Sequence, residues 1–332
     1  MTDVEPTEAV LVETDAAGVR TLTFNRPERR NGWAADLEDA YYAALTDAAA
    51  DPAVRAVVVT GAGPTFCPGA DMTRLGDLST DGAGVRTLTF NRPERRNGWA
   101  GELEDAYYAA LTDAAADPAV RAVVVTGAGP TFCPGADMAR LGDLSAEGAT
   151  LPHRPVDVPR TFPKPLIAAI NGACAGVGLV QALFCHVRFA ADTARFATAF
   201  ARRGLVAEYG IAWTLPRLVG LENALDLLLS GRTFDASEAK ALGLVSRVVA
   251  QVDVLAAAQA YARDIAENCA PAAVAVIAAQ VLDAADGTYA DALARAHVET
   301  DKRIGSADLR EGIASWLEKR DPQFGALSRE GV

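Results

Sequence analysis

PLIAAINGACAGVGLVQALFCHVRFA, residues Pro165–Ala190, decides the fold. Leu166–Ile170 is a short apolar run that reads as a buried strand. Asn171-Gly172 breaks it, and Gly172, Gly176 and Gly178 permit a tight turn with close backbone approach. Leu179, Ala182, Leu183 and Val187 then recur at helical spacing. The chain therefore turns from strand into helix, and the first helical N–H groups have no partner within the helix. Together with the positive end of the helix dipole they suit negative charge. Neither GxxxxGK[ST] nor GxGxxG is present, so a phosphate loop fits poorly. An oxyanion site, where backbone N–H groups stabilise charge developing on a carbonyl oxygen, fits better. Two plainer readings stand beside it. The glycines suit close strand–helix packing and nothing more. Pro165–Val187 also lacks Asp, Glu, Lys and Arg, as a membrane span does, but Asn171, Gln181 and the glycines argue against that.

The wider chain narrows the function classes. Its 332 residues imply one large domain or two modest ones, and half are hydrophobic, ample for a packed core. A net charge of −12 argues against nucleic acid and anionic membrane surfaces as partners. A small anionic ligand held by a local Arg/Lys cluster stays open. MTDVEPTEAV at the N-terminus has no basic region followed by an apolar one, so no secretory signal and a cytoplasmic protein are expected. Cys67, Cys133, Cys174, Cys185 and Cys269 show no CxxC pairing and no zinc spacing, so reduced thiols and no metal are expected.

A near-identical tandem repeat fills the first half. Thr14–Ser79 and Thr80–Ser145 match with a period of 66 residues, differing only at Ala16/Gly82, Ala35/Gly101, Asp36/Glu102 and Thr73/Ala139. Each copy reads as strand (Val19–Phe24; Val85–Phe90), polar NRPERRN turn, helix (Leu37–Ala49; Leu103–Ala115), an Asp-Pro stop, a β-branched strand (Val54–Thr60; Val120–Thr126) and a GAGPTFCPGADM loop. Ala9–Glu13 forms a hairpin with Val19–Phe24 in this reading. Ala146–Pro163 is Pro-rich, a candidate lid. Val187–Ala191 and Val245–Val249 read as strands, and Trp213–Val219, Asn223–Leu229 and Ser237–Leu242 as helices, the last capped by Asp235 or Ser237. From Val254 the pattern is helical. Strands alternating with helices give an α/β core. Only one copy fits beside the central stretch; the second keeps the short connection to Lys164 and is the preferred occupant. The expected organisation is residues 1–79 (N-terminal strand plus copy one), 80–145 (copy two), 146–250 (rest of the core) and 251–332 (C-terminal helices).

TLTFNRPERRN, VRAVVVTGAGPTFCPGADM, PKPLIAAINGACAGVGLVQALFCHVRFA, LPRLVGLENALDLLLSGRTFDASEAKALGLVSRVV and LREGIASWLEKRDPQF occur in an order that resembles the crotonase (enoyl-CoA hydratase/isomerase) superfamily. The resemblance spans nearly the whole chain once one copy is set aside. It implies a ββα spiral core, C-terminal helices that assemble homotrimers or homohexamers, and acyl-CoA thioester substrates with no separate cofactor. It also implies an oxyanion hole made by the backbone N–H of Ala136 (or its duplicate Ala70) and of Val177, walled by Pro134, Gly135 and Gly176. Arg96 (duplicate Arg30) resembles the basic position that meets the CoA portion, with Lys164 a further cation near the entrance.

The resemblance also exposes a departure. The two glutamates with which family hydratases handle water fall on Val180 and Phe200, neither of which transfers a proton. Glu208, in RRGLVAEYGIAW, resembles the single catalytic glutamate of some Δ3,Δ2-enoyl-CoA isomerases and the aspartate of family dehalogenases; the first is favoured because one base can both remove and return the proton of a double-bond shift. Phe200, Tyr209 and Trp213 provide apolar company that would raise its pKa if it is buried among them. The reading is a double-bond isomerase in which Glu208 is the acid/base and Phe200 and Trp213 line the substrate. The alternatives are a hydratase or acyl-CoA hydrolase with other catalytic groups, and a CoA-thioester-binding homologue without chemistry. His153, His186, His297, Asp137 and Cys174 are read as structural, Asp137 as holding its turn.

Overall fold

The computed structural model describes residues 8–29, 31–63, 66–67, 74–144 and 156–327. Its contacts divide the chain into two units, Met1–Arg74 with Gly101–Ala109, and Leu75–Ala100 with Ala110–Val332.

In the first unit, β1 (Val10–Thr14) and β2 (Val19–Phe24) form the expected antiparallel hairpin. After β2 come α1 (Ala35–Ala50) and β3 (Ala56–Gly61), which pairs with β2 in parallel. Val10, Leu22, Phe24 and Leu37 form a small buried core, with Trp33, Tyr41 and Val59 against it. Among the described residues no strand pairs with the other edge of β3.

The chain continues through β4 (Val85–Phe90), α2 (Gly101–Ala116), β5 (Ala122–Gly127), β6 (Thr131–Cys133) and α3 (Met138–Leu144). Next come β7 (Leu166–Ile170), β8 (Ala173–Ala175), α4 (Val177–Phe184), β9 (Val187–Ala191) and β10 (Arg195–Ala197). Then follow α5 (Ile211–Val219), α6 (Leu221–Ser230), β11 (Thr233–Asp235), α7 (Ala236–Ala241) and β12 (Arg247–Val249). The C-terminal helices are α8 (Val254–Asn268), α9 (Pro271–Ala284), α10 (Tyr289–Arg303) and α11 (Ala307–Glu318).

The second unit holds two sheets. One is parallel, in the order β12-β9-β7-β5-β4; the other runs β11-β10-β8-β6. The strands β5, β7 and β9 each lead directly into β6, β8 and β10, which stand in the same order in the second sheet. Helices follow the first two pairs, so successive ββα turns stack into a spiral. The inner strands β5 and β7 are buried along their whole length, which is why they read as continuous apolar runs, whereas the edge strand β4 alternates.

The second copy, not the first, pairs with β7. The hexapeptide AVVVTG occurs twice: as β5 all six residues are buried, and as β3 most are exposed. β4 in turn needs a neighbour where β1 lies along β2. The seam between the copies supplies it: Thr80 bridges Arg86 and Leu75 bridges Phe90, both antiparallel, and Gly76 N–H donates to the Thr89 carbonyl (2.9 Å).

The central stretch folds as expected up to Phe184. The strand read at Val187–Ala191 is β9, with the same bounds, and Val187 opens it although its spacing also continues the helical pattern. His186 ends the helical run: its N–H donates to the Leu166 carbonyl (2.8 Å) and its Nδ1 accepts from the Leu166 N–H (3.0 Å), drawing the chain back onto β7. Asp235, rather than Ser237, caps α7 by accepting from Glu238 N–H (2.9 Å).

α8 buries Val254, Ala258, Ala262 and Ala266, spaced four apart, and packs on β5 and β7. No single helix among the described residues is long and apolar enough to cross a membrane; α8 and α9 meet that length and composition only together, bent by 115° at their junction.

Candidate active site

Two glycine turns meet at one end of the spiral. Gly135 (φ 110°) precedes Ala136, and Gly176 (φ 51°) is the N-cap before Val177. Both backbones are in the left-handed region that favours glycine. They touch: a Cβ built on Gly176 would lie 3.6 Å from Gly135 Cα. Two residues on, Gly178 lets α4 approach β6, since a Cβ there would lie 2.2 Å from the Cys133 carbonyl oxygen. Close packing and amide placement are thus shared among neighbouring glycines.

Val177 is the first residue of α4, so its N–H has no carbonyl one turn back. On the other turn, Trp99 N–H donates to the Gly135 carbonyl (2.8 Å) and Asp137 N–H to the Trp99 carbonyl (2.9 Å). The Ala136 amide lies between these bonds. Among the described residues, neither Ala136 N–H nor Val177 N–H donates a hydrogen bond.

Both residues line a cavity of about 550 Å³, together with Pro134, Gly135, Gly176, Arg96, Phe200 and Glu208. Arg96 reaches it from a left-handed backbone (φ 53°) at the end of the NRPERRN turn, which Asn97 anchors by donating to the carbonyls of Ala128 (3.0 Å) and Thr131 (2.7 Å). Glu208 is half-buried, just before the left-handed pair Tyr209 and Gly210 that opens α5. Phe200 follows Ala199, a non-glycine residue at φ 61°, and is itself buried. Val180 is fully buried in α4 and is not part of the cavity wall.

Two of the expected residues lie elsewhere. Lys164 is buried, not at an entrance: its Nζ donates to the carbonyls of Ala114 (2.6 Å) and Asp117 (2.7 Å), closing the C-terminal end of α2. Desolvation pushes its pKa down to about 8. Trp213 is absent from the wall; Arg217 and Arg160 stack on its ring at 3.8 and 4.7 Å. Arg30, Ala70, His153 and most of the candidate lid lie outside the described residues.

The wall also contains Asp137, read above as holding its turn, and residues not singled out above: Glu94, Arg95, Gly98, Met138, Leu141, Thr198, Ala199, Arg203 and Leu205. Met138 and Leu141 stand three apart on α3, a spacing that could have flagged them. Arg95, Arg96 and Arg203 gather positive charge in an acidic chain, the local cluster that leaves a small anionic ligand open. Three carboxylates share the wall and differ in their surroundings. Glu94 is exposed. Asp137 is buried between Arg92 and Arg95, and the hydrogen bonds from Arg95 hold its carboxyl below the usual range. Glu208 is the remaining one.

Other candidates are inert. Burial pushes the Cys133 thiol up to about 12 and the Cys174 thiol well above its ordinary value, so neither is a nucleophile at neutral pH. Among the described residues no cluster of His, Cys, Asp and Glu is arranged to hold a metal. His186 is half-buried, with Nε2 enclosed and Nδ1 accepting; desolvation, then Arg188, lowers its pKa from 6.5 to about 4. The unfolded chain takes up that proton first, so stability present above pH 6.5 falls as pH drops towards about 4. The expected loss is up to about 3 kcal/mol. His186→Asn keeps an acceptor and does not titrate, so its urea midpoint should fall less than the parent's between pH 7 and pH 5.

Spiral, glycine turns and paired amides define an acyl-thioester enzyme of the crotonase type. The enoyl-CoA hydratase/isomerase family model matches residues 14–81 and again 80–327, once for each copy, and the chain belongs to that family. It is 34% identical over 253 residues to the 1,2-epoxyphenylacetyl-CoA isomerase of Escherichia coli K12, covering 73% of this chain and 95% of that one. Among solved structures, an enoyl-CoA hydratase from Polaromonas sp. JS666 superposes with a TM-score of 0.69 at 33% identity, over 75% of this chain and 99% of that one. An enoyl-CoA hydratase of Mycobacterium marinum is 48% identical with a TM-score of 0.55, over 63% of this chain and 96% of that one.

Proposed function

We propose that this enzyme is a Δ3,Δ2-type enoyl-CoA isomerase in which Glu208 is the single acid/base. The observation that carries the reading is one cavity lined by two amides without acceptors and by Glu208, with Phe200 where family hydratases hold a carboxylate. A 3-enoyl thioester loses a C2 proton to the Glu208 carboxylate. The electron pair moves into the thioester carbonyl, whose oxygen receives the Ala136 and Val177 N–H groups. The resulting dienolate takes the proton back from Glu208 at C4, leaving the double bond between C2 and C3. One base serves both transfers, and no water is consumed. The arginines of the wall are suited to the anionic CoA portion, and the reaction needs no further cofactor. That one relative is named as a CoA-thioester isomerase supports the reaction class.

Assembly as a homotrimer or homohexamer belongs to the same proposal. The C-terminal helices leave Ile277, Val281, Ile304, Trp316 and Leu317 more than half exposed, an apolar surface that association would cover.

The test is the conversion of a 3-enoyl-CoA to its conjugated isomer, followed by ultraviolet absorbance. Glu208→Gln should lower kcat on the order of 10²–10⁴-fold. An unchanged rate would remove Glu208 from the mechanism. The burial of Val180 and the replacement at Phe200 favour a second reading, thioester binding without chemistry. Acyl-CoA binding with no turnover across 2-enoyl, 3-enoyl and saturated substrates would establish it.

A further inference from the structure

Next to the oxyanion donor Ala136 stands a carboxylate to which the proposed isomerisation gives no role. Asp137 is 6% exposed. Its oxygens accept from Arg95 Nη2 (2.9 Å) and Nε (3.2 Å), and Arg92 Nη2 stands 3.2 Å away. A backbone donor adds to these, the Ala139 N–H (3.0 Å) at the start of α3. Arg92 is itself buried and donates to the Gly98 carbonyl (2.7 Å), one residue before the Trp99 that pins both peptides flanking Ala136. Gly98 packs against Asp137, since a Cβ there would lie 3.2 Å from its Cα. The Asp137 carboxylate therefore ties the NRPERRN turn, the Trp99 bridge and the Ala136 turn into one hydrogen-bonded body.

A base needs a free lone pair, and this carboxylate is occupied by two guanidiniums and an amide. What the arrangement can do is fix the direction of the amide that precedes it. We propose that Asp137 is a positioning residue for the oxyanion hole: through Arg92 and Arg95 it holds Ala136 N–H on the line of the thioester oxygen. The inference rests on the oxyanion reading given above. It differs from the simple loop-holding role expected from the sequence in predicting an effect on the carbonyl of the bound ligand. Small errors in the aim of a preorganised donor cost rate rather than affinity.

The experiment uses cinnamoyl-CoA as a probe, because its absorption moves to the red when its carbonyl oxygen accepts strong hydrogen bonds. The unaltered enzyme should show the red shift. Asp137→Asn should bind the probe yet lose most of the shift, and its kcat on a 3-enoyl-CoA should fall about a hundredfold with KM changed less than about threefold. Arg95→Gln, at a half-exposed side chain, leaves the buried Arg92 contact in place and should show a partial loss of both. Glu208→Gln should lose turnover and keep the shift. Retention of the full shift by Asp137→Asn and Arg95→Gln would overturn the positioning role and leave the oxyanion pair standing. If Asp137→Asn does not fold, Arg95→Gln alone decides. No shift in the unaltered enzyme would remove the oxyanion pair and this inference with it.

Discussion

Val124→Asp should unfold the spiral core, while Val58→Asp, the same change at the matching position of the first copy, should leave it intact. Val124 is fully buried in β5, paired on one side with Thr87 of β4 and on the other with Ile167 of β7. A carboxylate there has no counter-ion and no water, and the expected loss is about 3–5 kcal/mol, much of a typical domain's stability. Val58 in β3 pairs with Thr21 only and is 47% exposed, so an ionised carboxylate reaches solvent. Urea unfolding followed by circular dichroism gives the comparison. Equal losses at the two sites would show that the copies share the core position.

Val177→Pro carries the second large effect. Proline fits the first turn of a helix because the N–H it lacks would have no helical partner. Gly176 before it has no Cβ for the ring to strike. The substitution thus removes one oxyanion donor and leaves the helix in place. Turnover should fall on the order of 10²–10³-fold, with binding of a saturated acyl-CoA nearly unchanged. Ala136→Pro should act in the same direction, and Val177→Ala, which keeps the amide, should retain most activity. Full turnover by Val177→Pro would mean that the Gly176 turn does not hold the carbonyl.

The central stretch was readable because its signals agree: an apolar run, a break at Asn171-Gly172, glycines where backbones approach, and helical spacing beyond. Its far end was legible too: the strand read at Val187–Ala191 is β9, and a pair of hydrogen bonds between His186 and Leu166, twenty residues earlier, holds the turn before it. Lys164 was misplaced because its partners lie far away in the sequence. A lysine next to proline beside a binding motif looks like an entrance cation, and nothing local tells that its ammonium closes the end of a helix some fifty residues upstream. The repeat is the clearest case. β3 and β5 are the same hexapeptide, yet one is an edge and the other the middle of a sheet, so local propensity cannot distinguish them. The difference comes from which copy stands next to β7, and the seam segment from Leu75 to Thr80 completes the edge of β4. In the site, the turns that carry Ala136, Val177 and Glu208 were legible from motif order. The Arg92–Asp137–Arg95 cluster was not, because it joins positions more than forty residues apart.

The most direct measurement is exchange of the C2 protons of a saturated acyl-CoA in deuterated water, followed by nuclear magnetic resonance. The unaltered enzyme should exchange them, because a carboxylate that reaches C2 and two amides that hold the enolate suffice without a double bond to move; Glu208→Gln and Val177→Pro should each slow the exchange at least a hundredfold. Exchange that persists undiminished in both variants would contradict the assignment of base and oxyanion donors.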